Sequence, residues 1–515
     1  MPRLAPNLSL SISCAFLLAA SPKVLAQDSA EEWFAAGQQT VERNAALRAF
    51  NTDEGFARNV ILFVGDGMGV STVTAARIFE GQMRGETGEE NLLSFEEFPN
   101  VALSKTYNTN AQVADSAGTM SAMATGIKTK AGLISVNQDV VRGDCSSQQG
   151  NHTMTFLERA EMRGLATGVV STARLTHATP AANYAHIMDR DFEDDADAER
   201  FSNPGDCADI ARQLIEFGTA VLGSDGLEVA LGGGRSSFLP ATRTDPENGL
   251  AGSRLDGRDL TREWEQLQPN SRYVWNKEQF DAIDPQTTDH LLGLFQPSHM
   301  QYEYDRPGDT GGEPSLSEMT AKAIEILARN ENGYYLTVES GRIDHGHHAT
   351  NPYRALSDAV ELSNAVRTAM EMVDLSETLI IVTADHSHVF TIAGYAKRGN
   401  PILGKSVGLD SSGEPRQEPA LASDGLPYTT LGYANGQGYE EGLENHTGGR
   451  ADLSNVDTTD PEFHPQVTVP MGSETHAGED VAIYAIGPGA DLIRGVMEQN
   501  VIFHVMLEAS QLDQR

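Results

Sequence analysis

Short apolar runs alternate along this chain with stretches of helical periodicity. The run Asn59-Val60-Ile61-Leu62-Phe63-Val64 is β-branched and apolar almost throughout, the pattern of a parallel strand buried on both faces. Gly65-Asp66-Gly67-Met68-Gly69 interrupts it, and Ser71-Thr72 opens a helix. The same strand–loop–helix succession returns around residues 167–171, 227–234, 334–339, 378–385 and 481–487, with helical stretches at 317–329 and 353–373. Such alternation predicts an α/β fold: a large, mostly parallel central sheet flanked by helices on both faces. In sheets of this kind ligands collect at the carboxyl ends of the strands. A further strand-like segment, 102–107, leads to Asp115-Ser116-Ala117-Gly118-Thr119, after which small helix-compatible residues run to Gly126. A serine in that setting stands at a helix N-terminus, where free N–H groups favour an anion. Asp115-Ser116 is equally an ordinary N-cap pair.

Two regions break the alternation. Residues 242–313 are rich in Asp, Arg, Pro and Gly and read as a surface subdomain, and residues 394–473 are Gly, Pro and Ser rich and read as an insertion between core strands. Before the first strand, Trp33, Phe34, Val41, Leu47 and Phe50 recur among polar residues, so 27–58 is expected to form a helical arm. Residues 1–26 have the layout of a secretory signal peptide: Arg3, an apolar run from Leu8 to Ala20, and Val24-Leu25-Ala26 before the cleavage point. The core domain then spans 59–515. Its end, from Leu507 to Arg515, is polar and predicts no hydrophobic tail for a membrane anchor.

Charge changes the picture. Lys and Arg number 37 against 73 Asp and Glu, a formal net charge of −36. That excludes nucleic acid and anionic membrane surfaces as partners. An anionic small molecule needs a locally positive site, which bound metal ions can supply. With Cys14 inside the signal, Cys145 and Cys207 remain, either as one disulfide of an exported chain or as two free thiols.

Carboxylates and imidazoles gather at the strand ends. Asp66 follows the first strand and Glu339 ends the strand 334–339. Asp344-His345-Gly346-His347-His348 comes soon after, Asp385-His386-Ser387-His388 terminates 378–384, and Glu474-Thr475-His476 precedes 481–486. Each alone reads as a turn or a solvated loop. Together they predict a metal site, because buried carboxylates without partners are costly and a divalent cation satisfies them. Asp344 and His348 stand four apart, on one face of a helical turn. Carboxylate plus imidazole without thiolate suits zinc at an open site.

The combination of Gly65-Asp66-Gly67-Met68-Gly69, Asp115-Ser116, Thr176-His177-Ala178-Thr179-Pro180, Glu339-Ser340-Gly341-Arg342-Ile343-Asp344-His345-Gly346-His347-His348, Thr383-Ala384-Asp385-His386-Ser387-His388 and Glu474-Thr475-His476-Ala477-Gly478-Glu479-Asp480 resembles the alkaline phosphatases. The resemblance runs from about Asn59 to about His504 and is nearer to animal-type members. It implies that Ser116 is the nucleophile that becomes phosphorylated. One zinc would be held by Asp344, His348 and His476, and a second by Asp66, Asp385 and His386. A magnesium would use Asp66, Thr179 and Glu339, with His177 reaching it through water. Arg190 matches the guanidinium that grips phosphate; its local context also permits an ion pair with Asp189 or Asp191. His388 matches a histidine near the first zinc.

The resemblance also implies a Cys145–Cys207 disulfide, a homodimer with 394–473 as its crown, and export to the periplasm or the outside. It extends to a calcium site at Glu247, Phe295 (backbone carbonyl), Gln296 and Glu313, with a glutamine where a glutamate is expected and a glutamate where an aspartate is expected. Loss of one carboxylate weakens a hard-cation site. The expected activity is hydrolysis of small phosphate monoesters. Sulfatases of the same superfamily use a different motif, diesterases generally lack the magnesium set and the arginine, and a non-catalytic module would have lost Ser116 or a ligand.

Overall fold

Ten strands form one twisted sheet whose order across the molecule is β15-β2-β14-β8-β1-β7-β3-β4-β6-β5. Their ranges are β1 Asn59–Gly65, β2 Asn100–Lys105, β3 Ala166–Arg174, β4 Val229–Gly233, β5 Ser271–Val274, β6 His290–Leu294, β7 Tyr334–Ser340, β8 Thr378–Ala384, β14 Val481–Ile486 and β15 Gly495–Glu498. The structure, a computed structural model, describes residues 55–221, 223–438 and 450–513. The expected signal peptide 1–26 and nearly all of the expected arm 27–58 lie outside the described residues.

The apolar run of β1 is explained by its place. It pairs in parallel with β7 on one side and β8 on the other. Val60, Leu62 and Val64 point into one hydrophobic cluster, while Ile61 and Phe63 point into the other, and none is more than 1% exposed. Burial of each such side chain contributes about 1.5–3 kcal/mol. Helix Leu316–Leu327, started by a Ser315/Glu318 capping box, and helix Pro352–Met372, capped by Asn351, cover one cluster. Helices Ser116–Thr125 and Val501–Ser510 contribute to the other.

One strand runs against the rest: β14 is antiparallel to both β8 and β2. Periodicity carries no information on strand direction, and this reversal matters for the site. It puts the start of β14, with the residues just before it, at the same edge as the carboxyl ends of β8, β1, β7 and β3.

Segment 242–313 sends β5 and β6 into the far edge of the sheet, where β6 is buried along its whole length. The insertion 394–473 contributes β11 (Leu431–Gly436) and β12 (Val467–Pro470), which make a small separate sheet with β10 (Phe390–Ile392). A two-stranded pairing of β9 (Ser387–His388) with β13 (His476–Ala477) sets His388 opposite His476. Cys145 and Cys207 are joined as a disulfide.

Candidate metal centre

Four neighbouring strands supply the floor of the site. Asp385 and His386 follow β8, Asp66 follows β1, Glu339 lies near the end of β7, and His177 and Thr179 stand just after β3. From the other side, Asp344 and His348 come from helix Arg342–His348 and His476 from β13. Every ligand expected from the sequence is therefore at one edge.

Three groups of ligand atoms result. In the first, Asp344 Oδ1 lies 3.3 Å from His348 Nε2 and 3.4 Å from His476 Nε2, and the two Nε2 atoms are 3.1 Å apart. The tautomers follow from the outer nitrogens. His348 Nδ1 donates to the Glu474 carbonyl at 2.6 Å and His476 Nδ1 to the Ala114 carbonyl at 2.7 Å. Both inward Nε2 atoms thus carry lone pairs facing one another and a carboxylate, an arrangement a cation satisfies. In the second, His386 Nε2 lies 3.3 Å from Asp66 Oδ1 and 3.4 Å from Asp385 Oδ2. The third joins Asp66, His177 and Glu339, whose ligand atoms lie within 4.8 Å of one another.

The electrostatics demand positive charge. Asp66, Glu339, Asp385 and His386 are completely buried. Asp66 Oδ2, Glu339 Oε1, Thr179 Oγ1 and His386 Nδ1 have no hydrogen-bond partner. Burial, with the fields of Asp385, Asp344 and Glu339, holds the Asp66 carboxyl well above the usual range. Burial pushes Glu339 up to about 8, against a hydrogen bond from Ser171 Oγ. Burial also pushes His386 well down, leaving a neutral imidazole fit to bind metal. The donor set is oxygen and imidazole nitrogen, open towards Ser116, so the residues fit zinc and magnesium.

Ser116 is the first residue of its helix, 2% exposed, with Oγ 3.1 Å from His386 Nε2 and 3.5 Å from Asp66 Oδ1. Asp115 is indeed the helix cap, accepting from Gly118 N–H at 3.1 Å. Its second oxygen accepts from Arg190 at 3.2 Å and from Gly132 N–H at 2.9 Å. The local ion pairs open to Arg190 are taken by other residues, since Asp189 pairs with Arg142 and Asp191 with Arg200. Arg190 reaches instead to His177 Nε2, 3.0 Å away.

His388 bridges Asp344 Oδ1 at 2.8 Å and Glu474 Oε2 at 2.5 Å. Burial alone would lower its pKa, but these two carboxylates raise it to about 9. Glu474 was read from the sequence only as part of its motif, with no role of its own, and Ser171 was not singled out. Glu474 stands two residues before a ligand in a short strand-like motif, which is a usable signal; Ser171, inside an apolar strand, gives none.

The four residues aligned with a calcium site only partly converge. Gln296, which follows the buried Phe295, turns its amide nitrogen to Glu247 Oε1 (3.2 Å) and to Asp309 Oδ1 (2.5 Å). Glu313 accepts from Gln301 N–H at 2.7 Å and has a buried Oε2 without partner.

The alkaline phosphatase family model matches residues 57–512. An alkaline phosphatase of Gadus morhua is 44% identical over 488 residues, covering 94% of this chain and 97% of that protein. The chain belongs to the alkaline phosphatase family. A tissue-nonspecific alkaline phosphatase of Gallus gallus is 45% identical over 93% of this chain and 89% of its own length. Among solved structures, the alkaline phosphatase of Thermus thermophilus aligns over 91% of this chain and 94% of its own, with TM-score 0.63 and 23% identity, a likeness of fold. As an alkaline phosphatase family member the protein is a metal-binding hydrolase of phosphate monoesters. No helix among the described residues is long and apolar enough to cross a membrane.

Proposed function

We propose that the protein cleaves phosphate monoesters through a phosphoserine at Ser116, with two zinc ions and one magnesium ion per subunit. The observation that carries this is the position of Ser116 Oγ, 3.1 Å from His386 Nε2 and 3.5 Å from Asp66 Oδ1, at the junction of the second and third ligand groups. Asp344, His348 and His476 would hold the first zinc, Asp66, Asp385 and His386 the second, and Asp66, Thr179 and Glu339 the magnesium, with His177 beside it. When bound, such ions neutralise developing phosphoryl charge and lower the pKa of a neighbouring hydroxyl or water.

The chain's own residues set the geometry. The helix cap at Asp115 fixes the first turn and aims Ser116 Oγ at the site. Arg190 presents a planar fork, held by Asp115 and abutting His177, that matches two phosphate oxygens. Ser116 Oγ bonds to phosphorus as the bond to the alcohol oxygen breaks, and water then cleaves the serine ester. In total one water is consumed, its hydroxyl going to phosphorus and its proton to the alcohol. The proposal extends to an exported homodimer, supported by the signal-like residues 1–26, the Cys145–Cys207 bond and the family resemblance of the crown segment.

Ser116→Ala tests the reading. Turnover of p-nitrophenyl phosphate is expected to fall by orders of magnitude, and trapped phosphoenzyme to disappear, with zinc and magnesium content unchanged. Full activity in this variant sinks the mechanism.

A further inference from the structure

Beyond the phosphate-gripping pair, a second cationic feature lies on the same edge. Arg342 opens helix Arg342–His348, and its backbone N–H donates to Thr172 Oγ1 at 3.2 Å. Its guanidinium lies 3.7 Å over the ring of Tyr302. Its Nε is buried without a hydrogen-bond partner and it forms no ion pair among the described residues, although the field of its charge reaches the buried Asp358 carboxyl. The neighbouring arginines differ. Arg174 is paired with Glu193 at 2.6 Å, Arg190 with Asp115 at 3.2 Å, and Arg354 with Asp305 at 2.7 Å. In a chain with twice as many acidic as basic residues, an unpaired and half-buried guanidinium beside the active site needs an explanation.

The path from this group to the phosphate site is continuous. Arg342 and His345 stand three apart on one helix and share a face. The His345 ring is 4.1 Å from that of His299 and 5.5 Å from that of His177, whose Nε2 meets Arg190 at 3.0 Å. His345 Nδ1 is a second buried polar atom without partner. These side chains are partly exposed and lie beside His177, next to the proposed phosphate site.

We propose that Arg342, braced on Tyr302 and continued by His345 and His299, binds a second negative charge carried on the leaving group of the substrate. This rests on the reading of Ser116 and Arg190 as the phosphate site. The chemistry recognised is an oxyanion, either a carboxylate or a further phosphate, for which a stacked guanidinium is well suited. The ion pair forms at a partly desolvated position and is worth most at low ionic strength.

Three probes separate the cases on the zinc- and magnesium-loaded protein. Glycerol 2-phosphate and 2-phosphoglycerate differ only by a carboxylate in place of a hydroxymethyl group, and inorganic diphosphate supplies the phosphate form. Arg342→Gln is expected to lower kcat/KM for the two doubly anionic substrates about tenfold or more, through KM. Glycerol 2-phosphate should change less than twofold. Loss on 2-phosphoglycerate alone assigns the site to carboxylates, and loss on diphosphate alone assigns it to phosphates. Arg342→Lys should recover part of the loss. In the unaltered protein, added salt should erode the preference for the charged probes over glycerol 2-phosphate. Equal change on all three probes, or none on the charged pair, overturns the subsite while leaving the phosphatase reading intact. No hydrolysis of glycerol 2-phosphate by the unaltered protein overturns both.

Discussion

Asp115 and Arg190 tie the helix that Ser116 begins to the proposed phosphate grip. One carboxylate oxygen of Asp115 caps the helix that Ser116 begins, and the other holds the Arg190 guanidinium at 3.2 Å. A shift of either side chain therefore moves Ser116 Oγ relative to the Arg190 guanidinium. The arrangement also explains how a chain of net charge −36 keeps an anion site, because Arg190 is held inside the pocket by a residue whose other half is used in capping.

Arg190→Lys is expected to keep a positive charge and lose the fork. A charge-assisted hydrogen bond is worth roughly 1.5–3 kcal/mol, so kcat/KM for a neutral-alcohol monoester should drop about 10- to 100-fold, and inhibition by inorganic phosphate should weaken in parallel. Steady-state kinetics with phosphate as competitor check this. An unchanged phosphate inhibition constant would remove Arg190 from the site.

Glu474→Gln probes the support behind the first metal group. Glu474 is 1% exposed, accepts from His388 Nδ1 and from Val389 N–H at 2.8 Å, and its carbonyl orients His348. Removing its charge while keeping its shape should weaken zinc retention about 10- to 100-fold, as loss of an outer partner does at other metal sites. Competition with a chelator measures it, and retention equal to the parent protein contradicts the role.

A rise of pH from acid to neutral should weaken the fold through a carboxyl far from the metals. Glu161, 2% exposed, accepts from Thr167 Oγ1 and from Ser224 Oγ at 2.7 Å, and Glu228 accepts from Thr167 N–H at 2.7 Å. Burial, opposed by these hydrogen bonds and helped by Asp225, raises Glu161 from 4.5 to about 7. Burial and the charge of Glu161 likewise raise Glu228. The folded state binds the proton more tightly, so the contribution is complete below pH 4.5 and is lost as pH rises through about 7. Glu161→Gln should flatten the fall of the melting temperature between about pH 4.5 and 7. An identical slope in both proteins would rule this carboxyl out.

The disulfide closes 62 residues of chain. The chain-entropy estimate for a loop of that size is about 4 kcal/mol. Cys145→Ser with Cys207→Ser should lower the denaturant midpoint accordingly while leaving kcat on p-nitrophenyl phosphate within about twofold, since neither residue touches the metal groups. A large loss of kcat in a protein that is still folded would show that the bond shapes the site itself.

Much of this was legible in the residues. The run 59–64 is apolar on both alternating faces, and only a strand covered on both sides needs that, so β1 and the parallel sheet were readable from period and composition alone. A candidate metal site was readable because Asp, Glu and His at strand ends have few other reasons to cluster. What the one-dimensional pattern could not hold was direction and partner choice. The reversal of β14 brings His476 to the edge where β8, β1 and β7 end, and hydrophobic period is the same for a strand running either way. Asp189 and Asp191 flank Arg190 in sequence, yet it pairs with Asp115, 75 residues earlier, because its neighbours are committed to Arg142 and Arg200. Glu474 and the unpaired Arg342 likewise acquire meaning only when folding brings distant side chains within a few ångströms. Local sequence determined the elements and the chemical types at their ends; long-range packing decided which of those groups meet, since burial and charge are satisfied in three dimensions and not along the chain.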